Sequence, residues 1–142
     1  MKTIQIMLIL LTAFLFSNCS DNDKTTYKNQ LSDLKQTSWK GTLISEVSGV
    51  ITDEGKTDIL FITEGRGNSV VVKYGSAQKK DFEYVSDDKL LTISRFNPSS
   101  PSRHFLEGDW ILIHEEKNRL VLEQELVNEQ YLKMTLDIQR VY

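Results

Sequence analysis

The chain has 142 residues, enough for one domain, and carries 17 basic and 20 acidic residues for a formal net charge of −3 at pH 7. This mildly acidic balance, without any cluster of interleaved basic and aromatic residues, argues against nucleic acid as a partner. The single cysteine excludes an intramolecular disulfide.

The first 18 residues have the pattern of an export signal. Lys2 supplies a positive start, and residues 4–16 are apolar except for Gln5 and Thr12. This run is shorter than the roughly 20 apolar residues that a bilayer-spanning helix needs. The pattern therefore predicts a cleaved signal peptide over residues 1–18, with an uncleaved anchor helix as the alternative.

Cys19 directly follows the apolar run, after Phe16-Ser17-Asn18. Its position resembles the lipobox of bacterial lipoproteins, although the usual pattern is leucine followed by small residues. The resemblance implies cleavage before Cys19, attachment of diacylglycerol to its sulfur and acylation of the new amino end, for example with palmitate. Because two or three acyl chains anchor a protein stably, we expect an outer-membrane lipoprotein of the bacterial cell envelope, facing either the periplasm or the surface.

Residues 19–30 are expected to form the acylated cysteine and a flexible tether, since residues 20–26 contain no apolar side chain. Their acidic residues also resemble a surface-export signal of some Gram-negative lipoproteins, and both interpretations stay open. No further ligands accompany Asp21 and Asp23 at metal-binding spacing, so no metal loop is predicted. Loss of Lys2 with the signal leaves 16 of the 17 basic residues against 20 acidic ones.

Residues 31–142 are predicted to form the folded domain. A short amphipathic helix is expected over residues 27–36, where Tyr27, Leu31 and Leu34 recur at helical spacing. Alternation of apolar and polar residues then predicts strands over 39–47, 58–63, 68–74, 80–85, 89–95, 105–115, 119–126 and 131–142. Turns are expected at 53–55, 65–67, 75–76, 87–88, 117–118 and 127–128, with the longest loop at 97–102.

About eight short strands joined by short turns indicate an all-β fold. The sequence predicts an antiparallel up-and-down meander closed into a small barrel, since closure removes exposed strand edges. A two-sheet sandwich is the alternative.

Tryptophan near the start of the first strand gives the most specific motif. The segment Leu-x-x-Thr-x-Trp-Lys-Gly, from Leu34 to Gly41, and the terminal Arg-Val-Tyr together resemble the lipocalin-like domain of small bacterial lipoproteins, a calycin-like β-barrel. In the wider lipocalin and calycin pattern a Gly-x-Trp motif opens the barrel, and Thr37 stands at the position of its glycine. The resemblance implies that Arg140 on the last strand packs over Trp39 as a barrel-closing pair. The alternative is a core tryptophan and an unrelated surface arginine.

Motifs of catalysis are missing from the sequence. His104 and His114 form neither His-x-His nor His-Glu-x-x-His, and no Gly-x-Ser-x-Gly elbow or phosphate-binding loop occurs. We therefore expect no catalytic residues, no metal and no cofactor.

Two hypotheses for function remain, with the oligomeric state open. In the first, the barrel binds a small apolar or amphipathic ligand inside, unless the same side chains simply pack against one another. Its candidate lining is Phe61, Val72, Tyr74, Phe82, Tyr84, Trp110, Leu122, Met134 and Leu136. In the second, the barrel is solid and binds an envelope protein or a polysaccharide through its outer face or loops, with the 97–102 loop, Arg103 and His104 as contact points.

Overall fold

A computed structural model describes residues 30–95, 104–126 and 132–142. The predictions for the signal, Cys19 and most of the tether lie outside the described residues. So do those for the 97–102 loop, Arg103 and the 127–128 turn. In the part of the chain that the structure describes, no helix has the length and apolar character needed to cross a bilayer.

Eight antiparallel strands follow a short 3₁₀ helix, η1, over Gln30–Asp33. The strands are β1 Thr37–Val47, β2 Val50–Thr63, β3 Arg66–Lys73, β4 Ser76–Ser86, β5 Leu90–Arg95, β6 Gly108–Glu116, β7 Arg119–Leu126 and β8 Leu132–Val141. Each strand pairs with the next along the chain, and β1 also pairs with β8, which closes the barrel. The predicted all-β meander is therefore confirmed as a barrel rather than a sandwich.

Within the described residues, the helix before the first strand ends at Asp33 and not at residue 36, where the predicted segment ended. Leu31 and Leu34 are buried as expected, but Gln36 has a positive φ of 58° and cannot continue a helix. The burial of Leu31, and of Leu34 just after the helix, holds this segment against the barrel.

The first hairpin turn is not at residues 53–55, where the sequence predicted it. The chain turns at Ser48 and Gly49, whose φ values of 50° and 82° are those that a two-residue hairpin requires. Asp53 and Gly55 lie within β2. Gly55 is needed there because a Cβ would come within 2.6 Å of the backbone oxygen of Val72.

Trp39 links one end of the barrel to the segment that follows η1. Its indole N–H donates to Thr37 Oγ1 at 2.8 Å, and the Thr37 hydroxyl donates in turn to the backbone oxygen of Leu34. Thr37 thus supplies the hydrogen-bond partner that the buried indole needs. We call this the closed end; it also holds the β2–β3, β4–β5 and β6–β7 turns. The opposite end, with the other connections, is the open end.

Candidate functional site at the open end of the barrel

The half of the interior next to the closed end is apolar and tightly packed. The rings of Phe61, Phe82 and Tyr84 meet edge to face, with centroids 4.8–6.3 Å apart. Trp39 has no exposed surface. A side chain without accessible surface borders neither solvent nor a void that could hold a water molecule. These side chains therefore leave no room among them for a ligand.

Seven of the nine candidate lining residues are buried: Phe61, Phe82, Tyr84, Trp110, Leu122, Met134 and Leu136. The prediction that Val72 and Tyr74 line the interior is wrong, since they are 42% and 67% exposed. In β3 the inward positions belong to Ser69, Val71 and Lys73, so Val72 faces outward. Tyr74 follows the strand, in the β3–β4 turn.

Trp39 and Arg140 are opposite each other across the β1–β8 ladder, so both side chains lie on the inner face of the sheet. The register thus brings together the two residues of the expected barrel-closing pair. Among the described residues, however, the cation–π contacts come from Lys73, and none joins Arg140 to Trp39.

The half of the interior next to the open end contains a buried ion pair. Lys73 is 6% exposed; its ammonium donates to Ser45 Oγ and lies 3.8 Å from Asp53 Oδ2. Its stem crosses Gly55, where a Cβ would lie 3.3 Å from Lys73 Cβ and Cγ. The rings of Tyr74 and Phe105 lie 5.0 and 5.9 Å from the ammonium. Burial lowers the pKa of Lys73, and the Asp53 charge opposes this shift.

Further polar groups face the same half of the barrel. Ser45 is paired with Asp53 on β2 and with Met134 on β8, and Met134 is paired with Gln124 on β7. These four residues form one continuous row around the inside of the sheet. Asp53 Oδ2, Thr57 Oγ1 and Gln124 Oε1 are buried without a hydrogen-bond partner. Buried polar atoms normally have one, so the Asp53 and Gln124 oxygens lack a donor, and the Thr57 hydroxyl lacks a partner of either kind.

Residues 104–107 cover the interior at the open end, and we call these four residues the plug. His104 is 2% exposed, and its Nε2 lies 2.8 Å from Ser69 Oγ. Its Nδ1 accepts the backbone N–H of Leu106 at 3.0 Å. Nδ1 must therefore be unprotonated, which assigns the proton to Nε2 and makes it the donor to Ser69. Burial lowers the pKa of His104 to about 4; the Glu107 charge opposes this shift and the Lys80 charge adds to it.

The rest of the plug is held by side chains from four strands. The backbone N–H of Phe105 donates to Gln78 Oε1 at 3.0 Å, and the Trp110 indole donates to the Leu106 oxygen at 2.8 Å. Glu107 Oε2 lies 3.1 Å from Arg95 Nε, and its backbone oxygen accepts a 3.3 Å bond from Gln124. Leu106 is fully buried in the core. The plug thus buries Leu106 in the core, packs Phe105 partly against it and bonds to polar groups around it.

The sequence interpretation missed this site. His104 was expected at the surface as a contact point, and that prediction is wrong because its ring lies against Phe82 and Ser69. Lys73 and Asp53 were not selected. By alternation Ser69, Val71 and Lys73 share one side of β3, but Val70 and Val72 make the other side equally apolar, so the sequence does not show which side faces inward.

Chemically, the open end offers a compensated charge pair, several neutral acceptors and an apolar floor. Within the described residues, no group of three His, Cys, Asp or Glu side chains is placed to hold a metal ion. No family model, curated protein or solved structure matches the chain. The eight-stranded barrel is compatible with the lipocalin-like fold that the Trp39 motif suggested.

Proposed function

We propose that the chain is a non-catalytic lipoprotein of the bacterial cell envelope, anchored through Cys19, and that its lipocalin-like barrel binds a small amphipathic molecule at the open end. The anchor rests on the apolar run and the cysteine that follows it. The ligand class rests on the site described above.

The observation that carries this proposal is the contrast between the two halves of the interior. Around Trp39 the side chains are apolar and fully packed, whereas at the open end Lys73, Asp53 and Gln124 bring polar groups inside. A mixture of apolar walls and a few convergent polar groups is typical of small-molecule sites.

The plug itself indicates the character of the ligand. Leu106 fills an apolar position, while His104 and the neighbouring backbone bond to polar side chains. A molecule with an apolar part and a hydrogen-bonding head can replace both kinds of contact. In this proposal the ligand displaces the plug and stays in the outer half of the barrel, because the deeper half is already filled.

The two tryptophans allow a direct test, since one lies at each end of the barrel. A chain that starts at residue 19 with Cys19→Ser retains η1 and all eight strands. In this background Trp39→Phe leaves Trp110 as the only indole, and Trp110→Phe leaves Trp39. Titration with monooleoylglycerol, below the concentration at which it aggregates, is expected to shift the emission of Trp110 and leave that of Trp39 unchanged. An unchanged Trp110 emission, or an equal response of both indoles, contradicts the proposal.

A second candidate function is favoured by the outer face of β4–β6. Val85, Ile111 and Ile113 are each more than half exposed, and Leu90 is paired with Ile111 on the same face. An apolar patch of this kind is typical of a contact with another envelope protein, as a solid barrel would make. A photo-crosslinker at position 111 tests it, with a matched crosslinker at Lys79 on the outer face of β4 as control. Loss of the position-111 adduct upon Ile113→Asp supports the contact, and equal adducts at both positions refute it.

A further inference from the structure

The Lys73–Asp53 pair leaves a gap between a donor and an acceptor. The distance of 3.8 Å from Nζ to Oδ2 is too long for a hydrogen bond, which spans about 2.7–3.2 Å. Among the described residues Lys73 uses one of its three N–H groups, on Ser45. Asp53 Oδ2 is buried and accepts no hydrogen bond. An atom group that fits this gap must accept from Lys73 and donate to Asp53.

The two charges also decide which head groups are disfavoured. The ammonium and the carboxylate cancel formally, so an anionic head drawn to Lys73 is repelled by Asp53 a few ångströms away. A cationic head drawn to Asp53 is repelled in the same way by Lys73. In a buried site an uncompensated charge of either sign carries a large desolvation penalty.

A hydroxyl group meets both requirements without a charge. Its oxygen accepts from Lys73 while its hydrogen is donated to Asp53 Oδ2. Two more atoms on the interior have no hydrogen-bond partner: Gln124 Oε1, which can only accept, and Thr57 Oγ1, which can accept or donate. The unpartnered atoms of this site therefore match a head group that carries several hydroxyls.

We propose that the open end selects a neutral head group with two or more hydroxyls, as in a monoacylglycerol or an alkyl glycoside, over a carboxylate head on the same chain. This rests on the proposed function, since it names the ligand class of that same site. Lys73 and Asp53 are the residues that determine the selectivity. Ser45 accepts a hydrogen bond from the Lys73 ammonium and so holds it beside Asp53.

The test compares monooleoylglycerol with oleate, which share one acyl chain and differ in the head group. Affinities for the Cys19→Ser chain are measured at pH 8, where oleate is ionised and the ligands are kept below their aggregation concentrations. We expect monooleoylglycerol to bind at least about tenfold more tightly than oleate, a difference of roughly 1.4 kcal/mol. Asp53→Asn removes the repulsion with little change in shape, so oleate is expected to gain and the ratio to fall severalfold.

A matched control exists on the outer face of β1 and β2. Lys40 and Asp58 also lie 3.8 Å apart, but both side chains are about 60% exposed. Asp58→Asn is therefore expected to leave the ratio of affinities unchanged. This control separates the local effect of the buried pair from a general effect of the protein's net charge.

The outcomes separate this inference from the function on which it rests. If neither ligand binds the unaltered chain, the proposed function fails and the inference fails with it. If both bind with equal affinity, or if Asp53→Asn leaves the ratio unchanged, the barrel binds amphipathic ligands but the head-group inference is overturned. The ratio in the unaltered chain decides the matter by itself if Asp53→Asn does not fold.

Discussion

The buried imidazole of His104 predicts a loss of stability in mild acid. Its pKa falls from the ordinary 6.5 to about 4 in the folded chain, because burial disfavours the imidazolium. Protonation at Nδ1 would also break the bond from the Leu106 N–H, which needs a free lone pair there. Below pH 6.5 the unfolded chain therefore takes up a proton that the folded chain does not.

The size of the effect follows from proton linkage. Stability from this group is fully present above pH 6.5 and is lost as the pH falls from 6.5 to 4. Each pH unit within that window costs about 1.4 kcal/mol of unfolding free energy. The difference between pH 7 and pH 5 is therefore about 2 kcal/mol.

Urea unfolding of the Cys19→Ser chain and of its His104→Gln variant at pH 7, 6 and 5 measures this contribution. Glutamine keeps a donor for Ser69 but does not titrate, so the variant is expected to be less stable at pH 7 and to show a flatter pH dependence. Asp137 and Asp87, whose pKa values are lowered by hydrogen bonds from Arg119 and from backbone N–H groups, contribute equally in both chains. If the difference between the two chains is the same at all three pH values, the assignment of His104 as a buried neutral base is refuted.

Other variants test the close packing, the surface charges and the anchor. Gly41→Ala places a Cβ within 1.8 Å of the Asp137 backbone oxygen, and we expect it to lower the unfolding free energy, measured in urea, by about 3 kcal/mol. In the control variant Gly75→Ala the added Cβ meets no atom, and only the φ of 71° is strained. We expect that variant to lose about 1 kcal/mol. Equal losses would contradict the contact at Gly41. Asp137→Asn removes a two-point contact with Arg119, at 2.8 and 2.9 Å, on a partly exposed surface. A loss of about 1 kcal/mol or less that shrinks in high salt is expected, and a salt-independent loss argues against it. Mass spectrometry of the mature protein is expected to find acylated Cys19 at the amino end, and an unmodified cysteine refutes the anchor.

The sequence could predict the barrel because apolar and polar residues alternate clearly along most of its strands. In β8, Met134, Leu136 and Ile138 alternate with residues that are more exposed, and the interior of the barrel follows that alternation. The turn at Asp87 is equally local, since its carboxylate accepts the N–H groups of Lys89 and Leu90. Features that depend on neighbours in the chain were therefore accessible from the chain alone.

The site could not be predicted in the same way. In β3 three consecutive valines, 70–72, make both sides of the strand apolar. The alternation therefore does not show which side faces the interior. Lys73 fits inside because its stem passes close to Gly55, whose missing side chain leaves space for it. His104 is buried because its plug reaches Ser69, 35 residues earlier in the chain. Such contacts between distant segments leave no periodic signal in the sequence.

The Lys73–Asp53 pair is difficult to explain as a device for stability. Desolvation of two charges offsets much of their attraction, and well-packed apolar residues of similar volume are often at least as stable in such a position. The neighbouring interior of this barrel is built from such residues, with Leu43 and Leu136 packed just below the pair. The pair also lacks a direct hydrogen bond between its partners, the feature that would make it stronger. A polar group between Lys73 and Asp53 would give each side chain the hydrogen bond that it lacks. Such a group can enter at the open end.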